Sequence, residues 1–401
     1  MITPVLTPAQ LGPVMLRNRV IKAATFEGMS PQGRITDALI DFHRSYAAGG
    51  VGMTTVAYCA VSMEGRGAPS EIVLRRESLP GLTKLAETVH AEGAAVSAQI
   101  GHAGPVGNKR VTKAKALAAS SGWSPLGTRF SAATKDDIAR ITADFASGAR
   151  LLVDAGFDAV ELHMGHHYLI NSFMSPRWNR RKDAWGGSVE ARAQFPREVA
   201  QAVREAVGTS IAVTAKFEMT DAVPGGLWLD QSIPIAQLLE SDGTLDAMQL
   251  TAGGSLANPM FLFRGDVPRE EFSKTLPVYL RPAFKLVGKR FMPAYPFEES
   301  YFRPLARQFR SALSMPLIAL GGINELASME QALDDGFAFV ALGRALLREP
   351  DLVSTLATGD RTSSLCIHCN KCMPSIYTGT HCVLVDAEKR PGVRLMPESS
   401  G

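Results

Sequence analysis

Short apolar runs rich in β-branched residues alternate with amphipathic stretches of helical period along most of the chain. Apolar runs of this kind are typical of parallel strands buried on both faces, and the amphipathic stretches are typical of helices that cover such a sheet. Strands are predicted at residues 19–24, 52–57, 95–100, 159–162, 211–216, 247–250, 317–320 and 339–342. Helices are predicted at residues 39–48, 82–91, 135–155, 189–206, 232–239, 301–313 and 326–334.

Eight strand–helix repeats predict an α/β fold, a (β/α)8 TIM barrel. A doubly wound open sheet is the alternative, but no G-x-G-x-x-G follows an early strand. We expect residues 1–350 to form the barrel, with 1–18 closing its bottom and 255–301 forming a long excursion after the sixth strand. A long connection without regular structure is typical of a functional lid, so this excursion is expected to cap the site. Residues 351–401 are expected to form a Cys-containing C-terminal extension.

Composition and charge narrow the class of protein. The 401 residues are 46% hydrophobic and 20% charged, which is typical of a globular chain with an ample core. A net charge of +3 is too small to indicate a nucleic acid or an anionic membrane as partner. The chain has no membrane-span pattern and begins without a signal-peptide pattern, which predicts a cytoplasmic protein. We leave open whether the chain forms a homo-oligomer.

Polar residues and glycines follow the predicted strands. The carboxyl ends of the strands in such a barrel form one rim, where active sites lie, so these residues are expected to share one site. The loops at the opposite end hold only turn residues, which supports a single site. The rim residues include Thr25, Phe26, Glu27, Tyr58, Cys59, Gln99, His102, His163, His166, Tyr168, Lys216, Thr251, Gly253, Gly254, Gly321, Gly322, Gly343 and Arg344.

The residues after the seventh and eighth strands predict a cofactor that carries a phosphate. Gly321-Gly322 and Gly343 let backbone N–H groups approach phosphate oxygens, and Arg344 adds a forked cation. Lys216 ends the fifth strand, where a buried cation is costly without an anion. A salt bridge at the rim is the alternative role for this lysine.

The end of the fourth strand carries the densest chemistry. The sequence ELHMGHHYL places His163, His166 and Tyr168 within six residues. Two imidazoles and a phenol at a strand end are donors for a ligand's oxygen or, alternatively, metal ligands. We favour the first interpretation.

The stretch from His163 to Ser188 resembles a known family. The residues that carry the resemblance run without gaps as His163-x-x-His166-x-Tyr168-Leu169 and then Phe173-x-Ser175-Pro176-x-x-Asn179-x-Arg181-x-Asp183-x-x-Gly186-Gly187-Ser188. This pattern is similar to the signature of the old yellow enzyme family, the FMN-dependent ene-reductases of the NADH:flavin oxidoreductases. Similar segments at residues 11–27, 99–104 and 321–344 extend the resemblance over about residues 1–350.

The resemblance implies FMN bound non-covalently at the upper rim and reduced by NADH or NADPH. It implies reduction of the C=C bond of an enone-type small molecule, with hydride transfer from flavin N5. His163 and His166 would hold the carbonyl oxygen, where two N–H donors stabilise the developing negative charge, and Tyr168 would donate the proton. The implied cofactor-binding residues are Ala24, Thr25, Tyr58, Gln99, Lys216, Gly322, Gly343 and Arg344.

Three residues depart from the family pattern. Phe26 stands where relatives often have Thr or Cys beside the flavin. His167 stands where Gly is usual, and this third imidazole leaves open which ring points inward. Lys216 replaces a more usual Arg, so a point charge stands in place of a fork.

The four C-terminal cysteines have the spacing of metal ligands. Cys366-x-x-Cys369-x-x-Cys372-x9-Cys382 predicts a [4Fe–4S] cluster or zinc, with free thiols as the third alternative. It resembles the cysteine region of larger members of the dienoyl-CoA reductase and trimethylamine dehydrogenase type, which have one more residue between the second and third Cys. Two other functions therefore stay open: a flavin dehydrogenase or demethylase that passes electrons to a Cys-bound cluster, and a non-catalytic flavin-binding barrel.

Overall fold

A closed barrel of parallel strands forms the centre of the computed structural model, which describes residues 3–107, 109–124 and 127–396. Its strands are β1 (Val20–Lys22), β2 (Met53–Ala60), β3 (Ala95–Gly101), β4 (Ala159–Met164), β5 (Ala212–Glu218), β6 (Ala247–Thr251), β7 (Leu317–Ala319) and β8 (Phe339–Leu342). Neighbours in the chain pair in parallel, and β1 pairs with both β2 and β8, which closes the barrel. The predicted TIM barrel is confirmed, and each predicted strand overlaps an observed one.

Amphipathic helices surround the barrel and bury their apolar faces against the strands. Local sequence fixes where several of them begin: Thr134 and Asp137 form a capping box at one helix, and Thr36 accepts from the Leu39 N–H at another. In the described part of the chain, none of the helices has the length and apolar character needed to cross a bilayer. The helices are Asp37–Ala48, Leu79–Ala91, Lys135–Asp154, Leu169–Met174, Val189–Val207, Leu229–Ser241, Arg303–Ala312, Leu326–Asp334, Arg344–Arg348 and Leu352–Thr358.

The N-terminal segment closes the bottom of the barrel, as predicted. Its strands Ala9–Leu11 and Val14–Leu16 form an antiparallel hairpin. Side chains of this hairpin join a buried apolar cluster with Ala159, Ala212 and Ala247, the first residues of three barrel strands. Residues 1–2 of the predicted segment lie outside the described residues.

The predicted excursion after β6 is present, and it has regular structure that the sequence analysis did not assign; its capping role stays a prediction. It contains the helices Pro259–Leu262, Arg269–Thr275 and Arg281–Phe291. Phe284, Met260 and Met292 form a small apolar core of their own, and Phe291 packs against it. Phe284 and Phe291 lie on one face of the same helix. A small three-stranded sheet after β3 was also not predicted, because its strands are too short to show a period; they are Ala116–Ala118, Gly122–Trp123 and Arg129–Ala132.

The predicted C-terminal extension begins near the start of β2, where the Ser354 N–H donates to the Gly49 carbonyl, and then reaches the rim of the barrel. Its helix Leu352–Thr358 buries Leu352, Val353 and Leu356 in the main core. Further on, the backbone N–H of Thr380 donates to the carbonyl of Glu27, just after β1, at 2.7 Å. The division of the chain at residue 350 stays a prediction, and residues 397–401 lie outside the described residues.

Candidate active site

Strand β4 ends in a turn that separates two neighbouring histidines. His166 and His167 have φ values of 59° and 65°, a region that favours glycine over residues with a side chain. Two buried acceptors hold the turn: the His166 N–H donates to Glu218 Oε2 at 2.6 Å, and the His167 N–H donates to Asn171 Oδ1 at 2.7 Å. The two imidazoles consequently enter different environments.

The ring of His166 lies on the same side as the rings of His163 and Tyr168. The centroid of His163 is 5.1 Å from that of His166 and 4.4 Å from that of Tyr168. His166 Nε2 lies 2.9 Å from Thr251 Oγ1, whereas His163 Nδ1 is buried without a hydrogen-bond partner among the described residues. The ring centroid of Tyr58 lies 5.3 Å from that of Tyr168. The structure therefore brings the three predicted catalytic residues together.

Burial keeps these three side chains uncharged. It lowers the pKa of His163 well below its usual value and the pKa of His166 to about 3, and the nearby Lys216 cation lowers both further. Burial also raises the pKa of Tyr168 above its usual value. At neutral pH each imidazole is therefore neutral with one N–H to donate, and the phenol retains its proton.

A buried carboxylate missed by the sequence reasoning lies between two predicted flavin contacts. Glu161 Oε1 accepts from Gln99 Nε2 at 2.7 Å and lies 3.3 Å from Lys216 Nζ. Lys216 is only 3% exposed, so this ion pair supplies the anion that a buried lysine needs. The sequence did contain a signal for this carboxylate. Side chains alternate between the two faces of a strand, so Glu161, two residues before His163, lies on the same face of β4.

The end of β1 reaches the same side of the site. Ala24 packs in a small cluster with Tyr58 and Tyr168, and the Thr25 hydroxyl donates to the carbonyl of Ala23 at 3.1 Å. Ala24, Thr25 and Tyr58, all predicted to contact the cofactor, therefore lie at the barrel end that holds the catalytic candidates.

Glu27, just after Thr25, lies in a buried ionic cluster that the sequence did not reveal. It accepts from the Ala57 N–H at 2.8 Å and lies 3.1 Å from His43 Nε2 and 4.0 Å from Lys22 Nζ. Burial lowers the pKa of Lys22 to about 8. The cluster ties β1 to β2 and to the helix that follows β1.

The glycines after β7 and β8 have different surroundings. The ring of Tyr301 lies against Gly322, where an added Cβ would come within 2.4 Å of it. A Cβ on Gly343, in contrast, would meet no heavy atom of the described residues within 4 Å. The guanidinium of Arg344 donates to the carbonyl of Arg264 at 2.7 Å and to the Asn370 side chain. Because protein groups engage this fork, its role at a phosphate stays a prediction.

His167 points away from the other two imidazoles. Its buried ring lies 5.3 Å from the Trp178 ring centroid, and its Nε2 lies 3.7 Å from Asp221 Oδ1. The ring fills the space above Gly254, where an added Cβ would come within 2.1 Å of it. His167 therefore has a structural position, and the absence of a side chain at Gly254 makes room for it.

The four predicted metal-ligand cysteines line one cavity, together with Arg344 and Asn370; they are Cys366, Cys369, Cys372 and Cys382. None of the four forms a disulfide with another described cysteine, and burial raises the pKa of Cys372 to about 12. Nowhere in the described ranges do three His, Cys, Asp or Glu side chains lie in a group that could hold a single metal ion.

Comparison with known proteins identifies the family. Residues 4–242 match the profile of the NADH:flavin oxidoreductase / NADH oxidase family. The chain belongs to this family, which includes the old yellow enzymes. This flavin oxidoreductase is therefore an enzyme with FMN as its cofactor and NADH or NADPH as its reductant.

The share of a relative's length that this chain covers differs from one relative to the next. It is 56% identical over 381 residues to the 4,4'-dithiodibutanoate disulfide reductase of Rhodococcus erythropolis, covering 95% of this chain and 94% of the relative. It is 30% identical over 368 residues to an NADH oxidase of Thermoanaerobacter brockii, covering 90% of this chain but 52% of the relative. A solved structure of morphinone reductase with tetrahydroNAD shares the fold, with a TM-score of 0.71, 22% identity and coverage of 90% and 92%.

The contact between Gly254 and His167 gives a testable pair. Gly254→Ala should lower the free energy of unfolding by about 1–3 kcal/mol, because the new methyl group overlaps the buried ring. The same substitution in a His167→Gly background should cost much less, since the ring is absent. Urea unfolding of the single and double variants measures both effects. Equal losses in the two backgrounds would contradict this role of His167.

Proposed function

We propose that this flavin oxidoreductase reduces the C=C bond of a small α,β-unsaturated carbonyl compound. The observation that supports the proposal is the grouping of His163, His166 and Tyr168. The ring centroid of His163 lies 5.1 Å from that of His166 and 4.4 Å from that of Tyr168. Two neutral N–H donors beside a protonated phenol match a reaction that develops negative charge on an oxygen and then protonates a carbon.

The described residues fit FMN on this side of the barrel. Gln99 and Lys216 are buried side chains on either side of β4, and open space lies beside Gly343. We propose that the cofactor is held by Ala24, Thr25, Tyr58, Gln99, Lys216, Gly322, Gly343 and Arg344. Bound FMN, after reduction by NADH or NADPH, supplies a hydride to the β-carbon of the acceptor.

The residues of the chain act on the rest of the acceptor. His163 and His166 each donate one N–H to the carbonyl oxygen, and their burial keeps them neutral donors. Removing one such donor commonly costs about 3 kcal/mol of transition-state stabilisation. Tyr168 then transfers its phenolic proton to the α-carbon and regains a proton from water. The acceptor thereby gains one hydride and one proton.

A second candidate reaction is the reduction of an organic disulfide. The support is the 56% identity to the 4,4'-dithiodibutanoate disulfide reductase over nearly the full length of both chains. In that reaction a hydride breaks the S–S bond, and with one proton two thiols form. Sulfur, unlike carbon, exchanges protons rapidly with water, so this reaction does not depend on a phenol at position 168.

Tyr168→Phe separates the two reactions. With NAD(P)H and 2-cyclohexenone, the variant should turn over about 10²–10⁴-fold more slowly than the wild type, because the α-carbon loses its proton donor. Reduction of 4,4'-dithiodibutanoate by the same variant should change only a few-fold. Steady-state oxidation of NAD(P)H measures both rates.

Reduction of the bound flavin by NAD(P)H is the internal control for that comparison, since it requires no proton from Tyr168. Failure of every enone tested to reoxidise the reduced wild-type enzyme would contradict C=C reduction. Turnover of the disulfide alone would leave the second candidate reaction standing.

We also propose that the four C-terminal cysteines hold an iron–sulfur cluster. Four thiols that line one cavity are the donor set of a [4Fe–4S] cluster. Cluster binding would deprotonate them, including Cys366 and Cys372, whose pKa values burial raises.

Protein purified anaerobically should contain iron and acid-labile sulfide in about equal amounts. Cys372→Ser should remove most of both, whereas Cys59→Ala should retain them, because Cys59 lies apart in the main core. Iron analysis, sulfide analysis and the visible spectrum measure the result. Wild-type protein without iron, or full iron in Cys372→Ser, would contradict the proposal.

A further inference from the structure

The guanidinium of Arg264 lies among three aromatic rings of the excursion. Its Cζ is 4.9 Å from the ring centroid of Phe261, 5.1 Å from that of Tyr301 and 5.9 Å from that of Tyr295. Its Nε is buried and lacks a hydrogen-bond partner within the described ranges. Among the described residues, none forms an ion pair with this side chain. The rings hold the cation in place without neutralising it.

The backbone around Arg264 is fixed from several directions. Its carbonyl accepts from Arg344 Nη1 at 2.7 Å, and the following Gly265 N–H donates to the carbonyl of Tyr295 at 2.8 Å. Asn370 Nδ2 donates to the carbonyl of the preceding Phe263 at 2.7 Å. These bonds connect the backbone at Arg264 to Arg344, two residues after β8, and to the cysteine segment, so the point from which the side chain extends is fixed.

Arg264 lies at the barrel end that holds the active site. The Tyr301 ring beneath its guanidinium is the ring that packs against Gly322, three residues after the end of β7. Phe261, the second ring, lies close to Gly253, where an added Cβ would be 3.3 Å from the Phe261 Cβ. Gly253 follows β6 by two residues. The cation therefore lies over the ends of β6 and β7.

An arginine held in this way lacks only an anion. Partial burial makes an unpaired cation costly, and a guanidinium offers parallel N–H donors that match the two oxygens of a carboxylate or a phosphate. Aromatic faces leave those N–H groups unused, because they bind the cation through its face.

We propose that Arg264 is an oxyanion-binding residue of this rim. Its ligand is a phosphate or a carboxylate, which have the same charge and hydrogen-bonding geometry. The phosphate source is the cofactor. The carboxylate source is an acidic acceptor such as 4,4'-dithiodibutanoate, and this second source rests on the function proposed above.

Two binding preferences test the proposal without turnover. The first is the preference of the full-length chain, stripped of flavin, for FMN over riboflavin, measured by quenching of flavin fluorescence. The second is the preference of the FMN-loaded enzyme for 4,4'-dithiodibutanoate over its dimethyl ester, measured by perturbation of the flavin spectrum.

Arg264→Met should reduce one of these preferences about tenfold to a hundredfold, the usual effect of losing a hydrogen bond to a charged group. Loss of the FMN preference identifies the phosphate as the ligand, and loss of the carboxylate preference identifies the acceptor. Arg264→Lys retains the charge but loses the fork, so it should fall between Arg264→Met and the wild type.

Arg290→Met is the matched control, since Arg290 is an exposed arginine of the same excursion, and it should change neither preference. Thermal unfolding and circular dichroism confirm that each variant is folded. If folded Arg264→Met retains both preferences, or if the wild type has neither, the proposal is overturned. Because the flavin measurement needs no acceptor, it reports on Arg264 even if the proposed reaction is wrong.

Discussion

The hydrogen bond from the backbone N–H of His166 to Glu218 fixes the arrangement on which the rest of the site depends. At 2.6 Å it holds the end of β4 in a left-handed turn, next to a second bond from His167 to Asn171. Without this turn, the side chains of His166 and His167 would not enter different environments. Nothing would then determine which of the two imidazoles lies beside His163. Glu218 is itself buried, and burial raises its pKa well above the usual value. A buried group from β5 thus positions a side chain that follows β4.

The charges around the site are balanced locally. Lys216 pairs with Glu161, and Lys22 lies beside Glu27, so neither buried cation depends on a ligand for neutrality. The imidazoles stay neutral through burial and through the nearby cation. Arg264 differs from both lysines, because aromatic rings surround it and no carboxylate of the described chain pairs with it. That difference leaves its N–H groups available for an anionic ligand.

The sequence predicted what depends on period and local pattern. Strand and helix positions follow from apolar spacing, and the barrel places His163, His166 and Tyr168 at one rim. It did not predict the pairing of Glu161 with Lys216, because their contact arises from the register between β4 and β5. It also did not predict the direction of the His167 side chain. That direction depends on Gly254, 87 positions later in the chain, which has no side chain to occupy the space that the His167 ring fills. The helices of the excursion were missed because aromatic and basic residues obscure their period.

In the proposed reaction, His163 and His166 orient an acceptor so that Tyr168 protonates its α-carbon. The most direct test is to reduce 2-methyl-2-cyclohexenone with NAD(P)H in deuterium oxide and to locate the deuterium in the product by NMR. We predict that the freshly formed product carries deuterium at the α-carbon in a single configuration, because the exchanged Tyr168 phenol delivers it from one face. A deuterated α-carbon of both configurations, or an unreduced C=C bond, would contradict this role of Tyr168.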